Sequence, residues 1–135
     1  MIHHQLERGS AVYLLTGSKG THIVVNALER VKQQLVTLSL LEKGSATSLM
    51  SQINVVTYGG ASRIYPDGPA YTHYVNRLDP IPWLFGVGAL GAHAGKDAKV
   101  VKVIGLGPLE WNPISPVHGF RAYLPYINES IGLRK

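Results

Sequence analysis

Apolar positions fall into short blocks along this chain, and their spacing changes from block to block. Residues 11–15, AVYLL, are apolar on both sides of a two-residue period, as in a parallel strand buried on both faces. From Gly20 the spacing becomes helical. Val24, Leu28, Val31, Leu35 and Leu38 recur at steps of four and three and form one stripe. Glu29, Arg30, Lys32, Gln33 and Gln34 fill the other side. This predicts a long helix ending near Glu42-Lys43-Gly44, with Gly44 just past its end. Residues 45–52 read as a connector with room for a helical turn. Residues 53–58, INVVTY, predict a second strand, stopped by Gly59-Gly60. Residues 70–75 predict a third strand and residues 99–104, KVVKVI, a fourth. The third runs into a proline-rich turn, residues 76–82. Residues 83–95, WLFGVGALGAHAG, suit a flap or surface loop. Residues 105–116 read as another loop, and residues 118–127 as a helix whose regularity Pro125 limits. Upstream, residues 5–9 look like the tail of a helix ended by Gly9.

Composition narrows the setting. The chain has 135 residues and reads as a single domain over residues 1–135. Cysteine is absent, which excludes disulfides and thiolate chemistry. The formal net charge is +5, but the basic residues are scattered, apart from Lys96, Lys99 and Lys102. No basic run is interleaved with aromatics, so no nucleic-acid partner is expected. The charge leaves a mild attraction to anionic surfaces, and with it peripheral membrane contact. No apolar run reaches the length of a transmembrane segment. The start, MIHHQLERGS, has no apolar core of a signal peptide, so the expected localisation is cytoplasmic.

The joint between the first strand and the long helix carries the chemistry. Thr16-Gly17-Ser18-Lys19-Gly20 makes a sharp strand-turn-helix with a serine at its apex. In an α/β-hydrolase such a turn holds a nucleophilic serine in a strained backbone above the sheet. Gly17 and Gly20 supply the room that closely passing strand and helix need. Gly20 stands where the G-x-S-x-G pattern has its last glycine, and Thr16 stands where it has its first. The Lys19 N–H, at the helix start, is then a candidate oxyanion donor. Two other readings compete. Such a turn can cradle phosphate, although the P-loop pattern is absent because Lys19 precedes Gly20. It can also be a tight turn whose serine caps the helix.

Four strands with a helix between the first two predict an α/β sheet, with functional residues at the carboxyl ends of its strands. Ser18 follows the first strand, Asp79 the third, and His118 the fourth by way of a loop. All three would reach one edge, in the chain order serine, acid, histidine of α/β-hydrolases. A serine hydroxyl is a poor nucleophile until an imidazole takes its proton, and the imidazole needs a carboxylate to fix its tautomer. Asp67, in a proline-glycine turn, and Asp97, between lysines, are weaker rivals for the acid. The plainer reading of Asp79 is a turn residue before Pro80. Among the other histidines, His3 and His4 belong to the tail. His22 would have to fold back on its own turn, and His73 is mid-strand. His93, in the glycine-rich loop, is the one serious alternative base.

Three runs, TYGGAS (57–62), YVNRLDPIP (74–82) and HGFRAYLPYI (118–127), resemble the class 3, or fungal-type, lipase family. The resemblance covers residues 11–127 and implies a triad of Ser18, Asp79 and His118. Asp-Pro-x-Pro in its strand context is the most specific match. The family has Gly and His before the serine, where this chain has Thr16 and Gly17. It also continues Gly-Ser/Ala-Pro-Arg where this chain has Gly59-Gly60-Ala61-Ser62-Arg63. The family's first half has no counterpart here. The fold expected is therefore α/β, a partial α/β-hydrolase: a mostly parallel sheet of about four strands with flanking helices, its N-terminal strands missing. The function expected is a serine ester hydrolase acting on carboxylic esters or lipids, with no metal or organic cofactor. The alternative is a catalytically inactive fragment that acts as an interaction module. In either case residues 11–15 would be an exposed edge strand without charge or proline, open to pairing with another copy or an upstream segment.

Overall fold

Spatial order in the sheet copies chain order. The computed structural model describes residues 6, 9, 11–38, 43–107 and 114–132. Strands β1 (Val12–Gly17), β2 (Ile53–Tyr58), β3 (Ala70–Asn76) and β4 (Lys99–Val103) lie side by side as β1-β2-β3-β4. All three pairings are parallel, with Leu14 opposite Val55, Val55 opposite Tyr71, and Tyr74 opposite Val101. The α/β sheet expected from the sequence is present, and all four carboxyl ends point to one edge.

Alternation along the strands divides the core into two layers. On one face Val12, Leu14, Ile53, Val55 and Tyr71 meet the stripe of α1 (Gly20–Leu38), led by Leu28, Val31 and Leu35. Helix α2 (Lys43–Met50) adds Ala46 and Met50 to that layer. On the other face Val56, Tyr58, Tyr74, Val101 and Val103 meet Ala122, Tyr123 and Ile127 of α5 (Phe120–Ser130). Tyr13 and Leu15 point to this second face, where α5 does not reach, and stay 69% and 45% exposed. Strand β1 is thus open on one face and, among the described residues, on its outer edge. The two-sided burial suggested by AVYLL is not reached.

Several boundaries differ from the sequence reading. Residues 43–50 are helical, so Gly44 lies inside α2 and does not end α1. Burial of Ala46 and Met50 outweighs the weak helix propensity of Gly44 and Ser45. A short helix α3 (Pro80–Leu84) replaces the open turn after β3, because Pro80 occupies its first position, where no N–H is needed. The final helical region is split into α4 (Ser115–His118) and α5, with Pro125 inside α5. Gly9 has φ +70 and its amide donates to the Leu6 carbonyl at 3.0 Å, the geometry of a glycine ending a helix. The remainder of residues 1–10, residues 39–42 and residues 108–113 of the expected loop lie outside the described residues.

His73 ties β3 to the glycine-rich loop. It is wholly buried against Tyr65 and Tyr71, whose ring centroids lie 4.6 and 5.6 Å away. Its Nε2 faces the Ala94 carbonyl at 2.8 Å and must donate. Nδ1 therefore accepts from the Thr57 hydroxyl at 2.8 Å. Burial holds the imidazole pKa below its ordinary value, partly offset by the Ala94 bond. The unfolded chain takes up this proton near pH 6.5 while the folded chain still resists it. Stability from His73 is therefore full above about pH 6.5 and declines below it, by at most about 1.4 kcal/mol per pH unit. Urea midpoints measured from pH 7.5 to 5 should fall in the parent chain and fall less steeply in His73→Gln. Parallel curves for the two proteins would refute this assignment.

Candidate active site

Ser18 is placed by the end of β1 and the start of α1. Its φ of +49 is left-handed, a conformation that costs a residue with a side chain about 1–2 kcal/mol. Close packing enforces it. A Cβ on Gly17 would stand 2.9 Å from the Tyr58 carbonyl, and one on Gly20 would stand 2.8 Å from Thr16 Oγ1. Gly20 thus serves the close strand-helix crossing expected of both glycines, whereas Gly17 makes room for the end of the neighbouring strand β2. The Ser18 amide donates to the Tyr58 carbonyl at 3.2 Å, and the Ala61 amide donates to the Ser18 carbonyl at 3.2 Å.

Asp79 is fully buried at the end of β3. Its Oδ1 accepts the Ile81 amide at 2.9 Å and so caps α3. Its Oδ2 accepts the Tyr123 hydroxyl at 3.0 Å and stands 2.6 Å from His118 Nδ1. Burial, and then the neighbouring Asp79 charge, raise the Tyr123 pKa well above that of an ordinary phenol, with the Asn76 amide bond opposing. Tyr123 therefore keeps its proton and points it at Asp79.

His118 ends α4, and its Nε2 lies 2.7 Å from Ser18 Oγ. Since Asp79 Oδ2 already accepts from Tyr123, Nδ1 supplies the hydrogen toward it. Nε2 is then the open lone pair that faces the serine hydroxyl. The imidazole remains 17% exposed, so its outer edge reaches solvent while its partner is dry.

Asn76 holds these parts in register. Its Nδ2 donates to the carbonyls of Gly105 and Val117 at 2.7 and 2.8 Å. Its Oδ1 accepts the Leu78 amide at 3.2 Å, and its backbone amide donates to the Tyr123 hydroxyl at 3.1 Å. The residue just before His118 is thereby pinned to the end of β3. The sequence reading named neither Asn76 nor Tyr123. An asparagine at a strand end, three residues before the acid, is the one signal that could have found the first.

The other expected residues fall as follows. Lys19 is exposed beside Ser18, and its amide makes no hydrogen bond among the described residues. His93, the rival base, bonds Asp67 Oδ1 at 2.8 Å on the surface. His22 Nδ1 lies 3.0 Å from Ser62 Oγ. Two grooves, of about 800 and 530 Å³, both reach Ser18 and His118. The larger is lined also by Lys19, Ile81, Phe85 and Ile114, the smaller by Leu15, Phe120 and Ile127. Among the described residues no cluster of histidine and carboxylate side chains could hold a metal ion. None of the described helices is long and apolar enough to cross a membrane.

Comparison of the chain with protein-family models, with curated proteins and with solved structures found no match.

Proposed function

We propose that this protein is a serine hydrolase of carboxylic esters, lipids among them, built on the α/β-hydrolase plan and resembling class 3 lipases. One observation carries the reading: the unbroken hydrogen-bond chain from Ser18 Oγ through His118 to the buried Asp79. The left-handed Ser18 at the strand-helix turn supports it. Ser18 Oγ attacks the acyl carbon while His118 Nε2 takes its proton. The tetrahedral oxygen is met by the Lys19 N–H. Collapse expels the alcohol oxygen, which takes the proton back from Nε2 and leaves an acyl-serine. Water then attacks with the same base, releasing the carboxylic acid and restoring the Ser18 hydroxyl. Asp79 holds His118 in the tautomer this requires. The two grooves that meet at Ser18 give room for the acyl and alcohol parts of an ester.

A fluorophosphonate probe with peptide mapping tests the reading. The expected adduct is on the peptide carrying Ser18. An adduct on a different serine, or none, would refute it. A second reading, a non-catalytic module acting by association, is favoured by the β1 edge, unpaired among the described residues, with exposed Tyr13 and Leu15. Absence of the adduct together with concentration-dependent sedimentation would decide for that reading.

A further inference from the structure

We infer that Thr21 is a positioning residue for the Ser18 nucleophile, a role that rests on the hydrolase reading above. A left-handed serine persists only where its surroundings over-determine it. The Ser18 carbonyl is held by three donors. The Thr21 amide lies at 3.3 Å and the Ala61 amide at 3.2 Å. The Thr21 hydroxyl, at 2.7 Å, makes the shortest contact.

The Thr21 side chain is wholly buried, and its hydroxyl is fully used. A threonine hydroxyl has one proton and two lone pairs. The proton goes to the Ser18 carbonyl. The oxygen accepts the Ser62 amide at 3.2 Å and shares the single Ala61 amide hydrogen, also at 3.2 Å, with the Ser18 carbonyl. A hydroxyl bonding back to a carbonyl of the preceding turn is common in helices. Here the same oxygen also gathers two amides from the segment that leaves β2. It is therefore a clip between the first turn of α1 and residues 61–62. The methyl is seated as well, since a Cβ on Gly60 would stand 2.9 Å from Thr21 Cγ2. With both ends of the side chain fixed, the peptide after Ser18 cannot rotate freely. The direction of Oγ toward His118 Nε2 is then set from behind, through the backbone, independently of the His118–Asp79 contact.

Two variants separate this role from plain packing. Thr21→Val keeps the shape and removes the hydroxyl, whereas Thr21→Ser keeps the hydroxyl and removes the methyl. Two readouts apply to each. One is the rate at which a fluorophosphonate labels Ser18. The other is the set of Ser18 Cα and carbonyl carbon shifts, which report the sign of φ without any chemistry. In Thr21→Val labelling should slow by roughly ten- to a hundredfold, the cost of a displaced reacting atom. Its Ser18 shifts should leave the left-handed range, while the His118 Nδ1 proton resonance persists. Thr21→Ser should restore both readouts. Parental labelling and unmoved shifts in Thr21→Val would overturn the inference. Loss of the His118 Nδ1 resonance in that variant would also overturn it, because Thr21 would then serve the fold at large. If the parent chain takes no label, the hydrolase reading fails. The carbon shifts then decide alone whether Thr21 holds the Ser18 backbone.

Discussion

Replacing Asp79 by asparagine is expected to slow Ser18 labelling and ester turnover by about ten-thousandfold, and to cost only about 1–3 kcal/mol of stability. Asparagine caps a helix about as well as aspartate. Its Oδ1 can keep the Ile81 amide now held at 2.9 Å. The Nδ2 group then stands where Oδ2 meets His118 and Tyr123, and it donates where a carboxylate accepts. His118 Nδ1 must accept from it, which moves the ring hydrogen to Nε2. In that tautomer Nε2 cannot take the Ser18 proton. The Tyr123 hydroxyl, which already accepts the Asn76 amide at 3.1 Å, loses the acceptor for its own hydrogen. Nitrogen shifts of His118 should report the tautomer directly, and thermal melting should show that the fold survives. A labelling rate within tenfold of the parent, with Nε2 protonated, would remove Asp79 from the proposed mechanism.

The contrast between the two roles of Asp79 marks what could be read in advance. Its pairing with His118 was legible because Asp-Pro-x-Pro follows a strand and Ser18, Asp79 and His118 come in a telling order. Its capping of α3 was hidden, since Pro80 and Pro82 read as breakers, whereas proline fits a first helical turn. Strand β2 matched its expected limits because β-branched residues end abruptly at Gly59-Gly60. Helix α2 reads in the sequence as no more than a helical turn in a connector, because its helicity comes from what Ala46 and Met50 bury against. Thr21 and Tyr123 gave no signal at all. A hydroxyl becomes functional through partners forty or more positions away, here Ala61, Ser62 and Asp79.

Gly86→Ala is expected to destabilise the fold by about 3 kcal/mol or more, a large part of the roughly 5–15 kcal/mol of a typical domain. Gly86 lies just after α3, with its amide donating to the Pro82 carbonyl at 3.1 Å. An added Cβ would stand 2.0 Å from the Gly60 carbonyl oxygen and 2.9 Å from Pro82 Cα. Both obstacles are backbone, so neither can rotate aside. The Gly60 peptide leads directly to the Ala61 amide that holds Ser18, so the strain also falls on the serine turn. Gly91→Ala is the matched control. Its Cβ would meet open space, and only its φ of +73 penalises a side chain, by about 1–2 kcal/mol. Urea denaturation of the two variants should separate them clearly. Equal midpoints would mean that the Gly60–Gly86 contact relaxes at no cost.

The strict succession β1-β2-β3-β4 has a consequence for how the protein is made. Each strand pairs with the one synthesised just before it, so the sheet can grow one neighbour at a time as the chain leaves the ribosome. Ser18 and Asp79 emerge early, and His118 follows Asp79 by 39 residues. At a synthesis rate of about 5–20 residues per second, that interval lasts roughly two to eight seconds. Throughout it the serine lacks the imidazole that would accept its proton. Tyr123, on the helix that follows His118, comes only five residues later, so base and buried support leave the ribosome almost together. In the proposed mechanism Ser18 therefore stays an ordinary hydroxyl until the segment carrying His118 has docked.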